Sequence, residues 1–244
     1  MIYILFSPAE AKHFGGDSKQ LNNDILFGLD KSKDILKKYN NVIKNNKLNE
    51  LSELFGFKKE SDIVKYSVDI FNSKTMSAIE RYNGVAYDYL DFNSLNSTEK
   101  EYINFHTLIF SNLFGVLRAD DKIPLYKIKQ GNSIEDIKPE KYYNPILKDK
   151  LDNLLKSVEV LDLRAGYYDK FYKVTQNYTT MKFLKDGKVV SHFAKAYRGL
   201  VLRAMAKAKI SSLAELSSLY IDNVVVHDIK VIKNKTEITF NILT

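Results

Sequence analysis

Residues 2–6 form a short apolar run closed by Ser7-Pro8, the pattern of a buried strand. A polar loop pivoting on Gly15-Gly16 follows. Between residues 21 and 71 apolar side chains recur at helical spacing: Ile35, Leu36 and Tyr39, then Leu48, Leu51 and Leu54, then Ile63, Tyr66 and Ile70. Gly56 breaks that run. Residues 73–82 continue as a helix until Gly84 stops it. Residues 98–117 predict a second apolar helix, opened by a Ser97/Thr98 cap with acidic residues in its first turn, and weakened near its end by Gly115.

The second half reads differently. Residues 158–163 alternate like a buried strand. Residues 181–184 and 189–193 flank Lys185-Asp186-Gly187-Lys188, and Asp-Gly between apolar runs is a strong hairpin signal. Residues 194–209 are helical, and 224–232 pair with 237–243 across Asn234-Lys235. Helices early and hairpins late predict an α+β fold: one compact domain over residues 1–244, with a mixed or antiparallel sheet and helices around it.

Composition narrows the class. Of 244 residues 45% are hydrophobic, with only ten Gly and four Pro, so the chain can bury a core and is not a disordered or Pro-rich one. It has no Cys, which removes disulfide scaffolds, thiolate metal sites and cysteine redox chemistry. No stretch approaches the roughly 20 apolar residues of a membrane span. The first strand lacks the basic start of a signal peptide. A soluble cytoplasmic protein without membrane partners is the expectation.

Charge is not spread evenly. The net charge is +7, and residues 182–209 hold eight basic side chains against Asp186 alone, so the remainder is neutral overall. In the helix at the end of that segment, Tyr197, Leu200, Val201, Ala204, Met205 and Ala208 share one face, with Lys195, Arg198, Arg203, Lys207 and Lys209 on the other. No Glu interleaves with these cations, as it does on helices that gain from i,i+4 ion pairs. A polyanionic partner accounts for such a one-sign face; an ordinary solvated surface is the alternative.

Residues 48–70 resemble a helix-hairpin-helix, in which backbone N–H groups at a Gly-centred turn face a DNA phosphate. Gly56 would allow the close approach, and Lys58 and Lys59 would add charge; Lys58 occupies the place of the motif's usual second Gly. The other reading is a plain packing unit with a Gly cap. Nucleotide-loop and hydrolase-elbow motifs are absent. His13, His106, His192 and His227 are scattered without metal-ligand spacing, so no metal and no cofactor are expected. Among thirty Tyr and Phe residues, only Tyr126, Tyr167, Tyr168 and Tyr197 lie beside basic residues as base-stacking candidates.

Ser111-Asn112-Leu113-Phe114-Gly115-Val116-Leu117-Arg118-Ala119-Asp120, followed by Ile123-Pro124-Leu125-Tyr126-Lys127 and Gly131, closely resembles the signature of the YaaA peroxide-stress family. The likeness includes Ser7-Pro8-Ala9, Gly84-Val85-Ala86-Tyr87, the block from Leu163 through Arg164 to Tyr168, and Lys195 to Gly199. Two positions depart. Glu10 stands where some members have Lys, with Lys12 as a substitute. Lys127 replaces an Arg, which weakens any bidentate contact.

The resemblance implies an unusual α+β fold with a basic cleft, a role in surviving peroxide and limiting iron-dependent damage, DNA binding, and no established enzymatic activity. The DNA- or anion-binding candidates are Lys12, Gly56, Lys58, Lys59, Arg118, Tyr126, Lys127, Arg164, Lys195, Arg198, Arg203 and Lys207, with double-stranded or structured DNA as partner. The alternative is an enzyme acting on nucleic acid or a phosphorylated small molecule. For it, Ser7, Arg118, Tyr126, Arg164, Lys195 and Arg198 at element ends would form an anion pocket.

Overall fold

The computed structural model describes residues 1–243, with the backbone alone for 191–193. The chain begins with β1 (Ile2–Phe6), β2 (Ala11–Lys12) and β3 (Ser18–Gln20). Three helices follow, α1 (Lys33–Asn45), α2 (Leu48–Phe55) and α3 (Glu60–Tyr66). Ile35, Leu36, Tyr39, Val42 and Ile43 form the buried stripe of α1. Next come β4 (Lys74–Ser77), α4 (Ala78–Arg81), β5 (Tyr82–Asn83) and α5 (Val85–Leu90).

The middle holds α6 (Ser97–His106), β6 (Thr107–Ser111), β7 (Gly115–Arg118) and β8 (Lys122–Pro124). After α7 (Pro139–Leu154) and β9 (Glu159–Asp162), the chain enters β10 (Tyr178–Lys185), β11 (Lys188–Val189) and α8 (Ser191–Ala208). The hairpin of β12 (Val224–Ile232) and β13 (Lys235–Ile242) closes it.

The main sheet has the order β12-β13-β10-β9-β1-β6-β7. Its centre, from β13 to β6, runs parallel, and antiparallel pairs occur at the two flanks and where β11 joins β10. The expected late hairpins are present, β10 with β11 and β12 with β13. The architecture is a single compact α+β unit with a mixed sheet and, among the described residues, eight α-helices.

Two elements differ from expectation. Residues 98–117 are not one helix. An Asn96–Glu99 capping box starts α6, and the chain turns into β6 at Thr107. All five side chains of β6 are buried, so its apolar run carries no alternation to mark it as a strand. Residues 73–82 are a strand and one helical turn, because β4 pairs with β3 on one side and β8 on the other. Tertiary pairing overrides local pattern there.

α2 and α3 do pack around a Gly56 turn. Gly56 lies at φ 71°, and its N–H closes α2 onto the Ser52 and Glu53 carbonyls. That is the C-terminal cap role for which Gly is favoured. A Cβ there would lie 2.5 Å from Cδ of Lys129, so that side chain lies against the turn, which itself is exposed. The first turn of α3 carries Glu60 and Asp62. Lys58 and Lys59 remain exposed.

Candidate functional site

β1 and β9 are neighbours and run parallel, yet the next parallel strand after β1 is β6 on one side, and after β9 it is β10 on the other. In open α/β sheets such a switch at the carboxyl ends of adjacent strands leaves a crevice. Here it holds a cavity of about 400 Å³. Phe6 to Ala11 enter from β1, Asn112 from β6, Leu163 and Ala165 from β9, and Gly84 to Tyr87 from the start of α5; Tyr168, Gln130, Lys195 and Arg198 complete the wall. Ser7 braces it: its Oγ accepts from the Ala165 N–H at 2.8 Å, and its carbonyl accepts from the Tyr87 hydroxyl at 2.9 Å.

The basic segment is anchored at this same edge. Thr180 of β10 pairs with Asp162, the last residue of β9, and β10 continues to Lys185. Five further residues at ~3.3 Å each carry the strand roughly 17 Å past the end of β9. β13 occupies one edge of β10, and β11 takes the other edge beyond β9. α8 then returns from this overhang. Phe183 stacks on Tyr197 at 5.0 Å and on Phe240 at 5.6 Å, which fixes the inner face of α8 and presents Lys195 and Arg198 to the cavity.

Neither Lys195 nor Arg198 makes an ion pair or side-chain hydrogen bond among the described residues. Burial draws Arg198 below its ordinary value, and the nearby Asp162 carboxylate opposes that. Asp162 is itself occupied by Arg164, at 2.7 Å. Asn112, which the sequence reading missed, is only 6% exposed, and its Oδ1 has no partner. Its one advance signal was its place inside the Ser111–Arg118 block.

The other candidates fall into separate places. Lys12 is buried; its Nζ donates to the Ala9 and Glu10 carbonyls and sits 4.0 Å from the centre of the Tyr126 ring. Burial, with Lys127 adding repulsion, holds Lys12 well below the ordinary lysine range. Lys127 is buried too and donates to the Glu10 carboxylate at 3.0 Å. Burial pushes Glu10 up, but donation from the Gln130 N–H and Lys127 outweighs it and holds the carboxyl low. Tyr126 is sealed in a hydroxyl chain with Tyr82 at 2.7 Å and Ser111 at 2.9 Å. Lys12, Tyr126 and Lys127 thus build the floor behind Glu10 rather than an open cationic surface.

Arg118 points elsewhere, to Asp121 at 2.9 Å and the Asp24 carbonyl at 3.0 Å, so the cavity does not include it. Arg164 is buried and saturated by Asp162, Asp169 and the Tyr168 and Tyr172 carbonyls, so it braces β9. Of the stacking candidates, Tyr168 lines the cavity, whereas Tyr197 is packed on Phe183 and Tyr167 donates to Glu140.

Arg203 requires a correction. It was expected on the free outward face, but its guanidinium donates to the Leu90 and Asp91 carbonyls at 2.8 and 2.9 Å and to Ser94 Oγ at 2.9 Å. It ties α8 to the end of α5. Lys207 is exposed without such contacts. Arg203→Ala is therefore expected to lower stability by about 1–3 kcal/mol, and Lys207→Ala by no more than about 0.5 kcal/mol. Urea midpoints of the two variants check this; equal midpoints would remove the tie.

Among the described residues no three His, Asp or Glu side chains converge to hold a metal ion, and the side chain of His192 lies outside that description. No helix described is long and apolar enough to cross a membrane.

The fold and site define a mixed-sheet α+β protein with a cation-rimmed cavity at its strand switch. Comparison with known proteins gives the family: the model described as Peroxide stress protein YaaA matches residues 2–228, and the chain belongs to that family. A relative from Campylobacter jejuni, an uncharacterized protein, is 43% identical over 243 residues, covering 98% of this chain and 99% of its own. A UPF0246 protein of Corynebacterium glutamicum is 29% identical over 242 residues, covering 90% and 94% of the two chains. Another from Fusobacterium nucleatum is 26% identical over 231 residues, covering 90% and 91%.

Proposed function

We propose that the protein acts in the cytoplasm during peroxide stress by binding double-stranded or structured DNA, with little sequence preference, along the carboxyl edge of its central sheet. The carrying observation is the set of cations without counter-ions there. Lys182, Lys188, Lys195 and Arg198 make no ion pair there among the described residues, while the one acid of the segment is Asp186. Lys207 and Lys209, likewise without ion pairs, lie at the other end of α8, near the start of β9, where Ser212 and Leu213 donate to Glu159. A surface built for stability alone would pair such charges; a phosphate backbone neutralises them all. Lys58 and Lys59 at the Gly56 turn supply a second, smaller contact in the manner of a helix-hairpin-helix. DNA covered in this way is shielded from iron-dependent oxidation without the protein holding iron. Family membership supports the stress role.

Salt dependence tests the reading. Each neutralised phosphate contributes roughly −0.9 to the slope of log K against log salt. Four to six contacts should weaken duplex binding by roughly two to three orders of magnitude between 50 and 200 mM salt. Lys188→Glu, on the β11 overhang, should reduce the slope. Salt-independent affinity, or none at 50 mM, would end the proposal.

One observation favours the enzyme alternative: the Glu10 carboxylate shares the cavity with Lys195 and Arg198. If the cavity performs chemistry on a phosphorylated substrate, Arg198→Ala should keep its duplex affinity yet fail to restore peroxide resistance to cells lacking the protein. Parallel loss of both would leave the DNA reading alone.

A further inference from the structure

We infer that the cavity between β1 and β9 is a mononucleotide site, with the phosphate held by Lys195 and Arg198 and the base read by Asn112. For the source of the nucleotide this rests on the DNA reading above; for the site itself it rests on three observations. The first is the pair of cations without partners on one wall. The second is size. At about 400 Å³ the cavity is near the small end of ligand sites, about 300–1,000 Å³, which suits one nucleotide and not a stretch of backbone. Phe6, Tyr87 and Tyr168 line it, and aromatic side chains are the usual platform for an unstacked base.

The third observation chooses the chemistry. Asn112 is 6% exposed and lines the cavity; its side chain meets the Tyr168 hydroxyl, and its Oδ1 is left without a donor. A buried acceptor without a partner is costly. The dianionic phosphate of a monoester offers acceptors only, so it engages the cations and the donor that Asn112 lacks must come from the rest of the ligand. A nucleobase edge presents an N–H in a plane that an Asn amide can meet, the pairing used wherever proteins read bases directly. The ligand that satisfies all three features is therefore a nucleoside monophosphate unit, either free in solution or extruded from a DNA strand as base-flipping proteins do.

Titration calorimetry with AMP, GMP, CMP and UMP, against ribose 5-phosphate and inorganic phosphate, reads the first source. At least one mononucleotide should bind about tenfold more tightly than ribose 5-phosphate, the worth of one buried hydrogen bond plus stacking. Asn112→Leu should erase that preference while keeping ribose 5-phosphate affinity. Arg198→Ala should weaken every phosphorylated ligand by about tenfold, since its hydrogen bonds to them are charge-assisted. The ranking of ligands by the unaltered protein decides the matter even if Asn112→Leu does not fold.

A duplex carrying a central mismatched 2-aminopurine reads the second source. A rise in its fluorescence on binding, absent in Asn112→Leu, places an extruded base in the cavity. Mononucleotide binding without that rise assigns the site to free nucleotides. No preference over ribose 5-phosphate together with no fluorescence rise overturns the inference. Affinity for an unmodified duplex, measured alongside, tells whether the DNA reading stands or falls separately.

Discussion

Arg164→Ala should lower the unfolding free energy by about 3–5 kcal/mol, the cost of leaving a buried charge without its partner. The Arg164 side chain is 1% exposed and that of Asp162 11%, so solvent cannot replace the lost contact. Asp162 Oδ2 and the Asp169 and Tyr172 oxygens lose the guanidinium as donor together, while Asp162 Oδ1 keeps only the backbone N–H of residue 164 and the Tyr168 carbonyl keeps those of Phe171 and Tyr172. Native proteins hold only about 5–15 kcal/mol in reserve, so the variant should be marginal at 37 °C. Arg164→Lys should recover only part of the loss, because an ammonium cannot span the same fork of acceptors. Urea unfolding with unchanged slope and a lowered midpoint measures the effect. A loss below about 1 kcal/mol would mean that Asp162 finds another donor.

Gly199→Ala should be nearly as damaging, against the helix propensity of the two residues. Ala is favoured over Gly inside a helix by about 1 kcal/mol. Here the added Cβ would stand 2.0 Å from the Ala86 carbonyl oxygen and 2.9 Å from the Leu90 nitrogen, both backbone atoms of α5. Neither can swing aside, so the helices must separate. Overpacking usually costs about 1–3 kcal/mol, and a backbone-to-backbone clash belongs at the top of that range or above. The clash wins. Because α8 carries Lys195 and Arg198, and Gly84 to Tyr87 lead into α5, separation should also open the cavity and weaken ligand binding. Thermal melts with binding measured on the folded fraction test both parts. A neutral or stabilised Gly199→Ala would show that the helices sit further apart.

The two variants explain why neighbouring motif residues play unlike parts. Lys195, Arg198 and Gly199 lie within one turn and a half of α8, yet two face the cavity and one permits the helix to reach it. Arg203 sits one turn further along and is spent on the end of α5. Helical periodicity put all three cations on one face. It carries no information on which neighbour that face meets.

Read from the chain alone, local signals were sound where the partners were close in sequence. The Asp186-Gly187 turn, the β12–β13 hairpin and α8 follow from turn chemistry and 3.6-residue spacing, which operate over a few residues. The segregation of charge into residues 182–209, and the motif blocks that identify the family, are likewise properties of the string of residues. Tertiary structure alone decided the rest. The parallel centre pairs strands from opposite parts of the chain, such as β1 with β6 and with β9, and a fully buried strand like β6 has no alternation to declare itself. It also decided which charges are free. Lys12, Lys127, Arg164 and Arg203 are all cations in the sequence, but burial and internal acceptors consume them, while Lys195 and Arg198 are left facing a cavity with Asn112. A charge is legible in sequence; its counter-ion is fixed only when folding brings distant acceptors within hydrogen-bond reach.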